Sequence, residues 1–460
     1  MCGIVALVGS REAAPQLLDG LRQLEYRGYD SAGIATVDAK GTLTCLKAKG
    51  KLVNLTARVD SQGASGQCGI GHTRWATHGK PEERNAHPHC SGDGSVAVVQ
   101  NGIIENHRSL RDELQATGEV FQSETDTEVI PHLVAAELKR LQAGGGQVGG
   151  ALLLQAVQAV LLQLQGAYAL AVIWQDAPGA LVVARRAAPL LIGLGEGEFL
   201  CASDTPALAG FTRTILPMED DEVALLSPLG VELYDGEGVR QQRMPTLLTG
   251  TDHVADKREF RHFMLKEIHE QPKAIRDTIL GHVDGDNIFA KRNLPLPSPH
   301  GRVILLACGT SWHAAMCGKS LIEQLARVPA EVDLASEFRY RKPVIREGDL
   351  AIAVSQSGET ADTLAAIREA GRLGAKTLSI CNVVDSSIAR MTDDVIYTHA
   401  GPEISVASTK AFTTQLVALS LFSVWLAGRL LRSLPVWLSS GLAGWLAGWL
   451  ASWLAGWLAG

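Results

Sequence analysis

The sequence predicts two folded parts of different class: a strand-rich α+β domain, then an α/β domain with a doubly wound sheet. Two rhythms and one break between them carry this reading. Up to about residue 240, short apolar segments such as CGIVALVG, SAGIATVD, CGIGHTRWAT, VAVVQNGII, AYALAVIW and ALVVARR alternate with turn signals. From Thr246 to about Leu296 the composition turns charged and aromatic. Beyond it, apolar strands alternate with helical patterns, the signature of parallel strands joined by helices.

In chain order, helices are expected at Ala14 to Leu24 and near Asp126 to Leu141, packed against the sheets of the first part. The stretch DKREFRHFMLKEIHEQP has apolar residues at helical spacing until Pro272, which is expected to break the helix, and it reads as a connector. The second part then runs RVILLACGTS, AEVDLAS, LAIAVSQSGET with a helix beginning near Asp362, TLSICN and DVIYTHA. The expected boundaries are a first domain at 2–230, a linker at 231–293, a second domain at 294–432 and a low-complexity tail at 433–460. In that tail Trp445, Trp449, Trp453 and Trp457 recur every four residues. Tryptophans spread through the segment do not form an aromatic belt at two interfaces, which argues against a membrane span. A tandem TGGC tract read out of frame would encode the same Trp-Leu-Ala-Gly repeat.

The formal net charge of −7 and the lack of a basic block argue against a nucleic-acid partner and for small molecules. The eight cysteines lack CxxC pairing, and no spacing suggests a metal or organic cofactor. Without the features of a signal peptide at the N-terminus, a reducing, cytoplasmic setting is expected.

Chemistry starts at Cys2. Removal of Met1 would leave one residue with a thiol and a free α-amine, whose reference pKa values of about 8.5 and 7.7 let the amine take the thiol proton near neutrality. In GHTRWATHG, Arg74 has the planar fork that suits a carboxylate. Asn101 and Gly102 end an apolar strand, where an amide and a backbone N–H could converge on one oxyanion. Taken alone, the same dipeptide reads as a hairpin turn. Asp126 stands just before a helix, in the position of an N-cap. In the second part, Cys308 to Ser311, Ser355 to Thr360 and Ser405 to Gln415 each gather hydroxyls and backbone N–H groups ahead of a helix, an arrangement that favours phosphate.

With LEYRGYDSAGIA, the first set of motifs resembles the glutamine amidotransferase domain of the N-terminal-nucleophile class. The resemblance implies Cys2 as nucleophile, Asn101 and Gly102 as oxyanion donors, and Arg74 with Trp75, Thr77 and His78 holding the substrate α-carboxylate side. It also implies Asp126 on the α-ammonium. The second set resembles the sugar isomerase fold. With KEIHEQP, the stretch Cys2 to Leu430 is similar to the glutamine–fructose-6-phosphate aminotransferase (isomerising) family. That similarity implies that Thr310, Ser311, Ser355, Gln356, Ser357 and Thr360 hold fructose 6-phosphate, that Val406 and Ser408 line the sugar, and that Trp75 gates an ammonia passage. The products would be glucosamine 6-phosphate and glutamate.

The family carries two sugar isomerase domains, and only the first is found here, so a chain truncated or frameshifted after about residue 430 is expected. The groups that isomerise the sugar cannot be placed on this sequence, and neither Lys410 nor His313 matches them. Two alternatives remain open: a glutaminase whose sugar domain binds without isomerising, and a non-catalytic sugar-phosphate sensor. Phosphoribosyl-transferring amidotransferases and asparagine synthetases share the MCGI opening. Their ribose-phosphate and ATP-pyrophosphatase loops are not found. The family implies a homodimer, which the expected truncation would disturb by exposing apolar surface.

Overall fold

The structure, a computed structural model, describes residues 2–25, 28–75, 79–248, 259–285, 287–290, 292–384 and 386–431. Thr77, His78 and the repeats after residue 431 therefore lie outside the described residues. The chain divides into two compact units, Met1–Val254 and Ala255–Gly460.

The first unit contains, among the described residues, an eight-stranded and a seven-stranded sheet. In the larger, β1 (Gly3–Val8), β2 (Ser31–Val37) and β3 (Cys68–Arg74) are neighbours, with β3 antiparallel to both others. In the smaller, β4 (Val96–Ile104) and β5 (Gly166–Trp174) pair antiparallel along their whole length. Side chains alternate between the two faces of each strand. Ile4, Ala6 and Val8 therefore meet Ala97, Val99, Ala171 and Ile173 in a core between the sheets. Val5 and Leu7, on the other face, pack on Leu17 and Leu21 of α1 (Ala13–Leu24). Val96, Val98, Leu170 and Val172 pack on α2 (Val129–Ala143) and α3 (Gly150–Leu161). The result is a helix–sheet–sheet–helix stack. Burial on both faces explains why these strands read as continuous apolar runs.

Two expectations are corrected here. Asn101 and Gly102 do not end their strand, since β4 keeps its register with β5 through Ile104↔Gly166 and no hairpin forms there. Asp126 is not the N-cap of the helix expected near it, which runs from Val129, because its carboxylate accepts the Ile104 N–H at 2.8 Å.

The second unit is a five-stranded parallel sheet of β6 (Val303–Ala307), β7 (Ala330–Leu334), β8 (Leu350–Ser355), β9 (Lys376–Cys381) and β10 (Asp394–Tyr397), in the order β7-β6-β8-β9-β10. One face packs Leu305, Ile352 and Val354 against α4 (Phe263–His282), α5 (Gly309–Leu321) and α7 (Lys410–Leu431). The other packs Ile304, Leu306 and Ala353 on α6 (Ala361–Arg372). The order reverses between β6 and β8, so the loops after these two strands flank the crevice where doubly wound sheets take ligands. Helix α7 is long and apolar enough to cross a membrane, yet 67% of its apolar window is buried within the fold. It is the central core helix of this unit.

Pro272 does not break its helix, which runs unbroken from Phe263 to His282. A proline removes the N–H that would bond the carbonyl four residues earlier. That carbonyl, on Ile268, takes a 3.2 Å hydrogen bond from the Gln271 side-chain amide instead. Described parts of the expected linker, 231–293, are built into the two units. Gly230–Tyr234 pairs into the smaller sheet of the first unit, and Ala274, Ile275 and Ile279 of α4 pack into the second unit.

Candidate active site

In the first unit β1 pairs with β3 so that Gly3 lies opposite Thr73, which carries Cys2 to the end of β3. The Trp75 N–H donates to Cys2 Sγ at 3.2 Å. From the facing sheet, Asn101 Nδ2 donates to the Cys2 carbonyl oxygen at 3.1 Å. Burial pushes the thiol above its usual pKa, with the Trp75 N–H pulling the other way. A thiol held protonated in this way needs a base to become a nucleophile. Gly3, the residue after Cys2, admits no side chain, because a Cβ there would come within 2.7 Å of Leu24 and Thr73.

Gly102 follows Asn101 with φ of 115°, and a Cβ there would lie 2.0 Å from the Ala167 carbonyl oxygen. Only glycine fits. Arg74 is 3% exposed and donates to the Gly79 and Lys80 carbonyls at 3.3 and 3.4 Å, with Asp30 at 4.0 Å. Trp75 is partly exposed and meets Tyr29 edge-on at 5.2 Å. Asp126 is 4% exposed and joined to β4 through Ile104. The structure thus brings Trp75 and Asn101 each into direct contact with Cys2.

Sequence reasoning missed the buried support beneath them. His72, on β3, faces Asn101 with Nε2 3.0 Å from Oδ1. Its ring stacks on His87 at 4.2 Å, and His87 meets His89 at 4.7 Å. The Gln100 N–H donates to His87 Nδ1 at 3.2 Å, and the Thr127 hydroxyl donates to Gln100 Oε1 at 2.6 Å. Burial lowers the pKa of all three imidazoles, that of His72 to about 3, so they are neutral. The HPH alternation of 87–89 was the available signal, since residues two apart on an extended segment share a face.

In the second unit Thr310 and Ser311 open α5 at the end of β6, and Ser355 to Thr360 lead from β8 into α6. Because β6 and β8 are adjacent, both loops stand at the sheet's order reversal. Ser355 Oγ accepts the Gly358 N–H at 3.0 Å and Ser357 Oγ accepts the Glu359 N–H at 3.2 Å, so the loop closes on itself. The Gln356 carbonyl accepts the Asn382 N–H at 3.2 Å. Ser311 accepts from Gln415 of α7 at 3.0 Å. Val406 is exposed, and Ser408 donates to Glu403 at 2.9 Å. Among the described residues no cluster of His, Cys, Asp and Glu is arranged to hold a metal ion.

Two family models match, a glutamine amidotransferase domain over residues 72–210 and a SIS domain over residues 298–424. A glutamine–fructose-6-phosphate aminotransferase [isomerizing] from Thermosynechococcus vestitus is 50% identical over 440 residues, 92% of this chain and 69% of the relative. The enzyme of the same name from Symbiobacterium thermophilum is 51% identical over 431 residues, 93% of this chain and 69% of the relative. A solved C-terminal domain of glucosamine-fructose-6-phosphate aminotransferase from Francisella tularensis is 41% identical, over 42% of this chain and 54% of that one, with a TM-score of 0.37. With a glutamine amidotransferase domain followed by one sugar isomerase domain, and half its residues shared with such relatives along nearly its whole length, the chain belongs to the glutamine–fructose-6-phosphate aminotransferase (isomerizing) family.

Proposed function

We propose that the chain takes ammonia from glutamine at Cys2 and delivers it to fructose 6-phosphate, giving glutamate and glucosamine 6-phosphate. The observation that carries this reading is the meeting of Cys2 Sγ with the Trp75 N–H and of the Cys2 backbone with Asn101. With Met1 removed, the Cys2 α-amine accepts the thiol proton, and the sulfur attacks the carbon of the glutamine side-chain amide. The amide oxygen becomes an oxyanion, to which Asn101 Nδ2 turns from the Cys2 carbonyl and towards which Gly102 offers its N–H. Collapse breaks the C–N bond, the α-ammonium returns its proton to the leaving nitrogen, and ammonia departs. Water then cleaves the thioester to glutamate.

Arg74 holds the glutamine α-carboxylate through its planar guanidinium fork. Trp75, Thr77 and His78 complete that side. Asp126 has one oxygen on Ile104 and accepts the α-ammonium with the other. In the second unit the N–H groups and hydroxyls of Thr310, Ser311, Ser355, Gln356, Ser357 and Thr360 take the phosphate, and Val406 and Ser408 line the sugar. The reading includes a cytoplasmic setting, supported by eight cysteines that are all unpaired.

Incubation of the purified chain with glutamine and fructose 6-phosphate tests this. Glucosamine 6-phosphate formed in step with glutamate supports it. Glutamate alone restricts the chain to glutamine hydrolysis, and neither product overturns the reading.

A further inference from the structure

Helix α4 carries a buried carboxylate, Glu267, that is only 2% exposed. Its Oε1 accepts the Ile404 N–H at 2.6 Å and the Ser405 N–H at 3.2 Å. Its Oε2 accepts the Ser405 hydroxyl. A carboxylate taken out of water is costly unless its lone pairs are filled, and here two consecutive residues of one loop fill them. One turn further along α4, Glu270 pairs with Lys410 Nζ at 2.6 Å, and Gln271 Oε1 accepts the Thr413 hydroxyl at 2.6 Å. Residues three and four apart share one helix face. That face therefore grips the 403–413 segment on both sides of Val406 and Ser408. Between the grips, Glu403 accepts the Thr409 and Ala411 N–H groups at 2.7 and 3.1 Å and the Ser408 hydroxyl at 2.9 Å. A hydroxyl that donates in this way keeps its lone pairs for a sugar hydroxyl.

We infer that Glu267 is a positioning residue for sugar binding: it clamps Ile404 and Ser405 so that Val406 and Ser408 are presented in a fixed loop. The inference rests on the proposed sugar-phosphate site. The clamp requires a carboxylate, because three donors converge on it and an amide would turn its own NH2 on one of them. It acts on the sugar end only, because the loop after β8 holds itself through Ser355 and Ser357, and Ser311 after β6 is held by Gln415.

Calorimetric titration of the full chain separates the two ends, with fructose 6-phosphate and inorganic phosphate as probes. Glu267→Gln is expected to weaken fructose 6-phosphate binding about tenfold, as loss of buried charge-assisted bonds does, while phosphate affinity stays within about twofold. Ser405→Ala removes one donor and leaves the fold intact, and is expected to weaken sugar binding about threefold. Parental affinity for fructose 6-phosphate in Glu267→Gln overturns the clamp and leaves the proposed function standing. Equal loss of both probes also overturns it, by showing general damage. A parent chain that binds neither probe overturns the sugar site and the clamp with it.

Discussion

His72 Nε2 lies 3.0 Å from Asn101 Oδ1, and this contact ties the imidazole tautomer to the orientation of the amide. The Cys2 carbonyl can only accept, so the Asn101 atom 3.1 Å from it is the NH2 nitrogen. The other end of that amide is then oxygen, and His72 must carry its proton on Nε2. A neutral, fully buried imidazole thus aims the amide donor at the Cys2 backbone.

His72→Leu removes that donor without adding charge. It is expected to lower kcat for glutamine hydrolysis by roughly tenfold to a hundredfold with little change in KM, the pattern of lost oxyanion stabilisation. His72→Gln, which retains an N–H donor, recovers part of the rate. Steady-state kinetics of the pair checks this, and parental kcat in His72→Leu would remove His72 from the account.

Asn101→Ala is expected to cost about 10²- to 10³-fold in kcat. If His72 acts through Asn101, the two changes are not independent, and the double variant is no slower than Asn101→Ala alone. A double variant whose loss equals the product of the single losses contradicts the coupling.

Gly102→Ala places a methyl group 2.0 Å from the Ala167 carbonyl oxygen at a φ of 115°, so β4 must shift away from β5. Glutamine hydrolysis is expected to fall at least as far as in Asn101→Ala, with a lowered thermal midpoint for the first unit. Parental activity and midpoint would show that this backbone conformation is not needed.

The buried histidines set a pH dependence. His72, His87 and His89 have folded pKa values depressed by burial below the ordinary 6.5. Below about pH 6.5 the unfolded chain binds protons that the folded chain refuses, so this contribution is complete above that value and is lost as pH falls. Each histidine adds a slope of up to about 1.4 kcal/mol per pH unit. Urea unfolding at pH 7 and pH 5 is expected to show the first unit markedly weaker at pH 5, and less so in His87→Asn. Equal stability at both pH values contradicts neutral burial.

Much of this was legible in the sequence because it was local. Cys2 before an apolar strand, Ser355 to Thr360 after one, and the strand–helix alternation beyond residue 296 all depend on neighbours within a few positions. What escaped depends on distant ones. Asp126 looks like a cap until Ile104, 22 residues earlier, takes its carboxylate. Pro272 looks like a terminator because the rescue of Ile268 by Gln271 is a side-chain choice that no propensity records. The contacts of α4 are hidden for the same reason, since its glutamates meet residues about 140 positions later in the chain. His72 gave least warning: on a strand buried on both faces, a polar residue breaks no alternation.

The central claim is that Cys2, as the first residue of the mature chain, supplies the attacking sulfur. Intact-mass analysis of the purified protein, followed by reaction with an electrophilic diazoketone analogue of glutamine and peptide mapping, tests it. The account predicts a chain lacking Met1, one equivalent of label on Cys2, and complete loss of glutamate release in step with labelling. Label on another cysteine, or glutamate release that survives full modification of Cys2, would contradict it.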